Sequence, residues 1–198
     1  MPDTTRTFIA VEVPREGRER IERLIGRLAP DAKGARWVAT ENLHVTLAFL
    51  GDVRDADLDS VCRAVAAAAR PFEPLELALE GLGCFGSPTR PRTLWAGIQG
   101  PGLEGLKALQ KEIATAVARE GYRADDRFDA HVTLARFKSG RGPAPNLTGI
   151  LEKNRGWSGG AWRVAEVITL ASTLTPERPV YAPLARAHLR GEKPSTGA

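Results

Sequence analysis

The sequence predicts a mixed helix-and-strand fold of two related lobes that share one groove, and three observations carry this reading. The string His-Val-Thr-Leu-Ala occurs twice, at His44–Ala48 and at His131–Ala135, 87 residues apart. The same offset lays Phe8–Pro14 on Trp95–Pro101, two short apolar segments each closed by a proline. Behind each proline, apolar residues recur at three- and four-residue steps: Ile21, Leu24, Ile25 and Leu28 in one half, Leu103, Leu106, Leu109, Ile113 and Val117 in the other. That recurrence marks the buried face of a helix. HVTLA is a good strand string in its own right, but five identities in a row with matching flanks favour duplication.

Taken in order, each half reads strand, helix, loop, strand, with the repeated string on the closing strand. A second helix is predicted in each half, over Asp55–Ala69 and about Asn146–Asn154. Further strands are predicted over Leu75–Leu82, Val164–Leu174 and Tyr181–His188. The glycine- and proline-rich stretches Gly81–Pro91 and Gly140–Pro145 read as loops. The expected organisation is one bilobal domain over residues 5–190, with halves of about 5–88 and 89–190, and a flexible polar tail over 191–198.

The bulk numbers narrow the function classes. A chain of 198 residues buries a sizeable core without staples. No apolar run approaches the roughly 18 residues of a membrane span. Met1–Thr7 is polar and lacks the parts of a secretory signal, so a cytoplasmic location is expected. Cys62 and Cys84 lie 22 residues apart without a CxxC or zinc-type spacing and read as free thiols. The net charge of +4 suits a polyanionic partner without establishing one, because arginine supplies 22 of the 28 basic residues in an Ala-, Gly- and Pro-rich chain, which a compositional habit also explains.

Strand alternation sorts the repeat into faces. His44, Thr46 and Ala48 share one face, and Val45, Leu47 and Phe49 the other; His131, Thr133 and Ala135 sit opposite Val132 and Leu134. The large apolar residues seek the core, so the histidines and threonines face the groove, with alanines beside them. Two histidines across one groove form an acid–base pair near neutral pH, one activating water and the other protonating a leaving oxygen. Each threonine hydroxyl stands ready to donate to a phosphate oxygen. A metal site is the rival reading, with Asp125, Asp126 or Asp129 as carboxylates. A catalytic zinc takes three protein ligands, however, and no HExxH or CxxC spacing is present, so no metal is expected. The aspartates read more simply as turn formers, or as groups that orient His131. His188, on a basic stretch without a motif, reads as surface or packing.

These residues resemble the two-histidine (2H) phosphoesterase family, and most closely its bacterial RNA 2′,3′-cyclic phosphodiesterase (2′-5′ RNA ligase) branch. The likeness runs from about Thr5 to Leu189. It rests on Asn42–Gly51, Phe128–Arg136, the opening Thr7–Val11, and the central Phe85-Gly86 step followed by Pro91–Trp95. The resemblance implies an α+β fold with two antiparallel sheets flanking a V-shaped cleft, helices on the outside. It implies a monomer that opens 2′,3′-cyclic phosphate ends of RNA to 2′-phosphomonoesters without a cofactor. Carried onto this chain, His44 would be the general acid toward O3′ and His131 the general base. Thr46, Thr133 and Arg136 would bind the phosphate, and Phe85 would stack on the terminal base.

Strict alternation places Arg136 on the apolar face, so it reaches the phosphate only where the strand ends or bulges. The likeness of the two halves also leaves the acid and base roles exchangeable. Ligation to a 2′-5′ linkage, with a 5′-hydroxyl in place of water, and a non-catalytic RNA-end binder are the competing functions. Arg90, Arg92, Arg127, Lys138 and Arg141 are candidates to rim the cleft. Nothing in the sequence selects tRNA halves over other RNA fragments or cyclic nucleotides.

Overall fold

Each apolar stripe of the sequence becomes one face of an element packed on a single core. The structure, a computed structural model, describes residues 3–124, 127–137, 146–176 and 178–192. The first half contributes β1 (Thr4–Glu12), α1 (Arg15–Leu28), β2 (Ala35–Trp37), β3 (His44–Arg54), α2 (Leu58–Ala69) and β4 (Leu75–Ser87). The second contributes β5 (Arg90–Gln99), α3 (Leu103–Arg119), β6 (His131–Phe137), α4 (Thr148–Lys153), β7 (Ser158–Val164), β8 (Glu166–Leu174) and β9 (Pro179–His188).

α1 starts behind Pro14 and buries Ile21, Leu24 and Leu28, the face its spacing marked. α3 buries Leu106, Leu109, Ile113 and Val117 in the same way. Burying one such leucine contributes about 1.5–3 kcal/mol, so truncating Leu106 or Leu109 to alanine costs more than a typical surface change can recover. α2 begins after a short 3-10 turn at Asp55–Asp57 and packs against α3 and the β8–β9 side.

All strand pairs are antiparallel, in the order β7-β4-β5-β6-β3-β1-β8-β9, with β2 also paired to β6. Two lobes, β9-β8-β1-β3 and β6-β5-β4-β7, meet where β3 and β6 touch at the single pair Val45–Val132. The spatial lobes are not the sequence halves. β4 follows the first half's helices but turns through a tight hairpin onto β5, while β8 of the second half returns to β1. The hairpin explains the exchange, since strands joined by two residues must pair with each other.

That hairpin also corrects the loop expected over Gly81–Pro91. β4 runs through Ser87 and β5 begins at Arg90, so most of the stretch is strand. Its glycines serve bulges: register slips fall between Glu80 and Leu82 and between Phe85 and Gly86, and Gly81 and Gly86 carry φ of 68° and 88°. β2 and β7 escaped the sequence reading, the first because three residues show no period, the second because it opens Ser-Gly-Gly. The strand expected over Val164–Leu174 is broken at Ala165, where β7 ends and β8 begins. No helix among the described residues is long and apolar enough to cross a membrane. The expected loop over Gly140–Pro145, Asp125, Asp126, Lys138, Arg141 and the tail over 193–198 lie outside the described residues.

Candidate active site

β3 and β6 bulge at the same point of their repeats. Ala10 pairs with Thr46 and Ile9 with Ala48, leaving Leu47 extra; Trp95 pairs with Thr133 and Leu94 with Ala135, leaving Leu134 extra. An extra residue resets the alternation beyond it. Leu47 and Ala48, like Leu134 and Ala135, are consecutive and buried. The alanines expected beside the histidines therefore belong to the core. Phe49, expected inside, emerges 40% exposed. Arg136 emerges in the same way, onto the groove face of His131 and Thr133.

Before the bulges the faces are as alternation predicts. Val45 and Val132 pair with both side chains buried, so the residues flanking them face away from the core. Antiparallel register then sets Thr133 opposite His44 and Thr46 opposite His131. The histidines are then diagonal neighbours across this seam. All four, with Arg136, line one groove of about 790 Å³ walled by Trp37 and Tyr181. Neither threonine hydroxyl is hydrogen-bonded to another described residue, so both are free to meet a ligand.

The histidines are held alike. His44 Nδ1 lies 2.7 Å from the Asn42 carbonyl oxygen, and His131 Nδ1 lies 2.6 Å from that of Asp129. A carbonyl only accepts, so Nδ1 carries the proton and donates it, and the neutral ring keeps its lone pair on Nε2, on the far side of the ring from that anchor. Asn42 and Asp129 are themselves 87 residues apart. The expected orienting role of Asp129 thus belongs to its backbone; its carboxylate pairs with Arg127 on the surface at 3.1 Å.

Aromatic rings clasp each imidazole. Phe8 and Tyr181 lie 4.9 and 5.5 Å from His44, centroid to centroid, while Phe85 and Trp95 lie 4.8 and 6.2 Å from His131. Burial lowers the pKa of both histidines, and the Arg136 charge pushes both the same way; the backbone bonds oppose this, and for His131 the Asp129 carboxylate opposes it too. Both rings therefore hold a proton less readily than a free histidine.

Phe85 does not line the groove between the histidines. It faces an adjoining hollow of about 490 Å³ with Phe49, Arg127 and Phe128, reached past Thr46 and His131. Arg127 thus lies near the site, whereas Arg90 and Arg92 are exposed on β5 and line neither hollow. His188 is exposed on β9, 3.5 Å from the Glu166 carboxylate and away from the groove. Among the described residues no three His, Cys, Asp or Glu side chains gather as a metal cluster would require. Sequence reasoning missed Tyr181 and Trp95 as site residues. Trp95 was within reach, because the 87-residue offset lays it on Phe8; Tyr181 comes from a strand outside the repeat and gave no signal.

Comparison with known proteins agrees with this geometry. The LigT-like phosphoesterase family model matches residues 11–95 and again 97–181. The RNA 2′,3′-cyclic phosphodiesterase of Archaeoglobus fulgidus is 32% identical over 179 residues, 90% of this chain and 97% of that protein. The protein of the same name from Methanothermobacter thermautotrophicus is 31% identical, across 89% of this chain and 94% of its own. The crystal structure of E. coli LigT complexed with 3′-AMP superposes with a TM-score of 0.74 at 29% identity, covering 94% of this chain and 99% of that one. With its paired histidine strands matched over nearly their whole surroundings, the chain belongs to the LigT-like phosphoesterase family.

Proposed function

We propose that this protein is a metal-independent hydrolase that opens the 2′,3′-cyclic phosphate at an RNA end to a 2′-phosphomonoester. The observation that carries the reading is the pair of imidazoles on one groove, each with Nδ1 tied to a carbonyl and Nε2 left for proton transfer. Opening the ring needs one proton removed from water as it attacks phosphorus and one delivered to O3′ as that bond breaks. Groups diagonal to each other across β3 and β6 serve opposite sides of a single phosphorus. His131 is assigned as base and His44 as acid. Thr46 and Thr133 donate to the non-bridging oxygens, and Arg136 neutralises the charge that grows on them. Binding the phosphate anion also offsets the Arg136 field at the histidines, so the acid takes up its proton as substrate arrives.

Phe85 is assigned to the terminal base, which would lie in the hollow beside His131. The relatives named RNA 2′,3′-cyclic phosphodiesterase support the substrate class. tRNA halves, other fragments and cyclic nucleotides are all candidate substrates, handled by a cytoplasmic monomer. The decisive test is turnover of a short RNA with a 2′,3′-cyclic end, with and without EDTA, identifying the product. A 2′-phosphomonoester formed at the same rate in both is expected. A 3′-phosphomonoester, or loss of turnover in EDTA, would overturn the assignment.

A further inference from the structure

Arg36 and Arg136 are direct cross-strand partners in the β2–β6 pair, and both line the groove. Directly opposed residues place their Cβ atoms about 5 Å apart on one face, where like charges destabilise a sheet. Among the described residues, no carboxylate lies within ion-pair distance of either guanidinium. Glu22 lines the same groove without pairing, and Arg178, the third arginine there, is engaged by Glu41. The fold goes out of its way to create this pair, since β2 is a three-residue strand of the first half laid against the second half's β6.

We propose that Arg36 is a subsite for the phosphodiester next to the terminal nucleotide, so that the enzyme favours oligonucleotide ends over cyclic mononucleotides. The inference rests on the phosphodiesterase reading for the place of the reacting phosphate. That phosphate lies between His44 and His131, near Thr46 and Thr133. Arg136 is three residues beyond Thr133, one of them absorbed by the bulge, hence about 7 Å further along β6. Arg36 stands one strand over from Arg136. Arg136 therefore reaches back to the reacting phosphate, and the groove continues past it to Arg36, where the next anion of an RNA strand relieves the repulsion between the two guanidiniums. Two planar donors side by side on one wall suit successive phosphates of one strand.

The test compares kcat/KM for a 2′,3′-cyclic mononucleotide and for a dinucleotide carrying the same cyclic end, in the wild-type protein and in Arg36→Gln. The wild type is expected to prefer the dinucleotide. Arg36→Gln is expected to lower dinucleotide turnover about tenfold, to leave the mononucleotide unchanged, and to flatten the salt dependence of the dinucleotide reaction by about 0.7 in log–log slope. An equal loss on both substrates, or none on either, overturns the subsite. A thermal midpoint equal to or above the wild type is expected as well, because a repulsion has been removed; a fall would make Arg36 structural and overturn the proposal. Titration with the products, a dinucleotide and a mononucleotide each ending in a 2′-phosphate, reads the subsite without turnover. If the wild type turned over neither cyclic substrate, the hydrolase reading would fail, and the subsite would stand or fall on whether Arg36→Gln weakens only the dinucleotide.

Discussion

The strands β3 and β6 repeat the same string, bulge at the same residue, bury the same positions and anchor their histidines to the carbonyl two residues back, yet they do not present the same site. At the position past the bulge β3 offers Phe49 and β6 offers Arg136. Phe49 lies under the Arg6 guanidinium, 4.7 Å from ring centre to Cζ, whereas Arg136 lines the groove wall and pairs with no carboxylate among the described residues. The anchors differ too. Asn42 is buried, and its side-chain amide donates to the Pro179 carbonyl oxygen at 2.8 Å, tying His44 to β9 and so to Tyr181. Asp129 is exposed, and its carboxylate faces Arg127. One backbone plan thus serves as a duplicated holder for imidazoles, while the residues outside the repeat make one of them deep and fixed and the other shallower and within reach of a negative charge. In the proposed reaction a single phosphate would meet two unlike neighbours, and that unlikeness is what a directional proton transfer requires.

The largest effects test whether both copies are needed. His44→Ala and His131→Ala are each expected to lower kcat by about a thousandfold or more, since general acid–base catalysis is worth roughly 10²–10⁴. The double variant should lose little beyond the worse single, because groups acting in one step do not contribute additively. Multiplicative losses would mean that the two rings act in separate events. Arg136→Gln comes next, with about a hundredfold loss in kcat/KM for removing one donor to the developing charge. Its pH profile carries a sign. The Arg136 charge holds both histidine pKa values down, so its loss raises both, and both limbs of the bell should move to higher pH. Movement of one limb alone would show that Arg136 senses only one copy. Thr46→Val and Thr133→Val are expected to cost about tenfold each, the worth of a hydrogen bond to a charged oxygen. A large inequality between them would show the phosphate seated nearer one strand.

The comparison also shows what one sequence reveals. The repeat, its offset and the apolar stripes of α1 and α3 were legible because burial writes a period into the chain. The pairing of His44 with His131 followed, since a histidine with only a structural duty need not be copied together with its threonine. The bulges were not legible, and they alone decide where Ala48, Phe49, Ala135 and Arg136 point: a bulge is a matter of register between strands, and Leu-Ala reads the same with it or without it. Tyr181 and β2 were hidden for a related reason. β2 is laid against β6, and the β8–β9 hairpin that carries Tyr181 is laid against β1, and such pairings between strands far apart in sequence leave no local pattern behind.

The smallest effect decides the roles. The Asp129 carboxylate raises the His131 pKa, and among the described residues no acidic group does the same for His44. The Asp129 charge thus favours a proton on the ring assigned as the base and does not act on the ring assigned as the acid. Asp129→Asn keeps the backbone carbonyl that anchors the ring and removes only the charge, together with an exposed ion pair worth little to stability. The His131 pKa then falls. If His131 is the base, activity requires it deprotonated, so the acidic limb of the kcat/KM profile moves to lower pH while the alkaline limb stays. If His131 is the acid, activity requires it protonated, so the alkaline limb moves to lower pH and activity narrows from above. The first outcome keeps the proposed roles and the second reverses them. In both cases the same variant in a His131→Ala background should leave the one remaining limb, that of His44, where it is, because Asp129 acts on the profile only through His131.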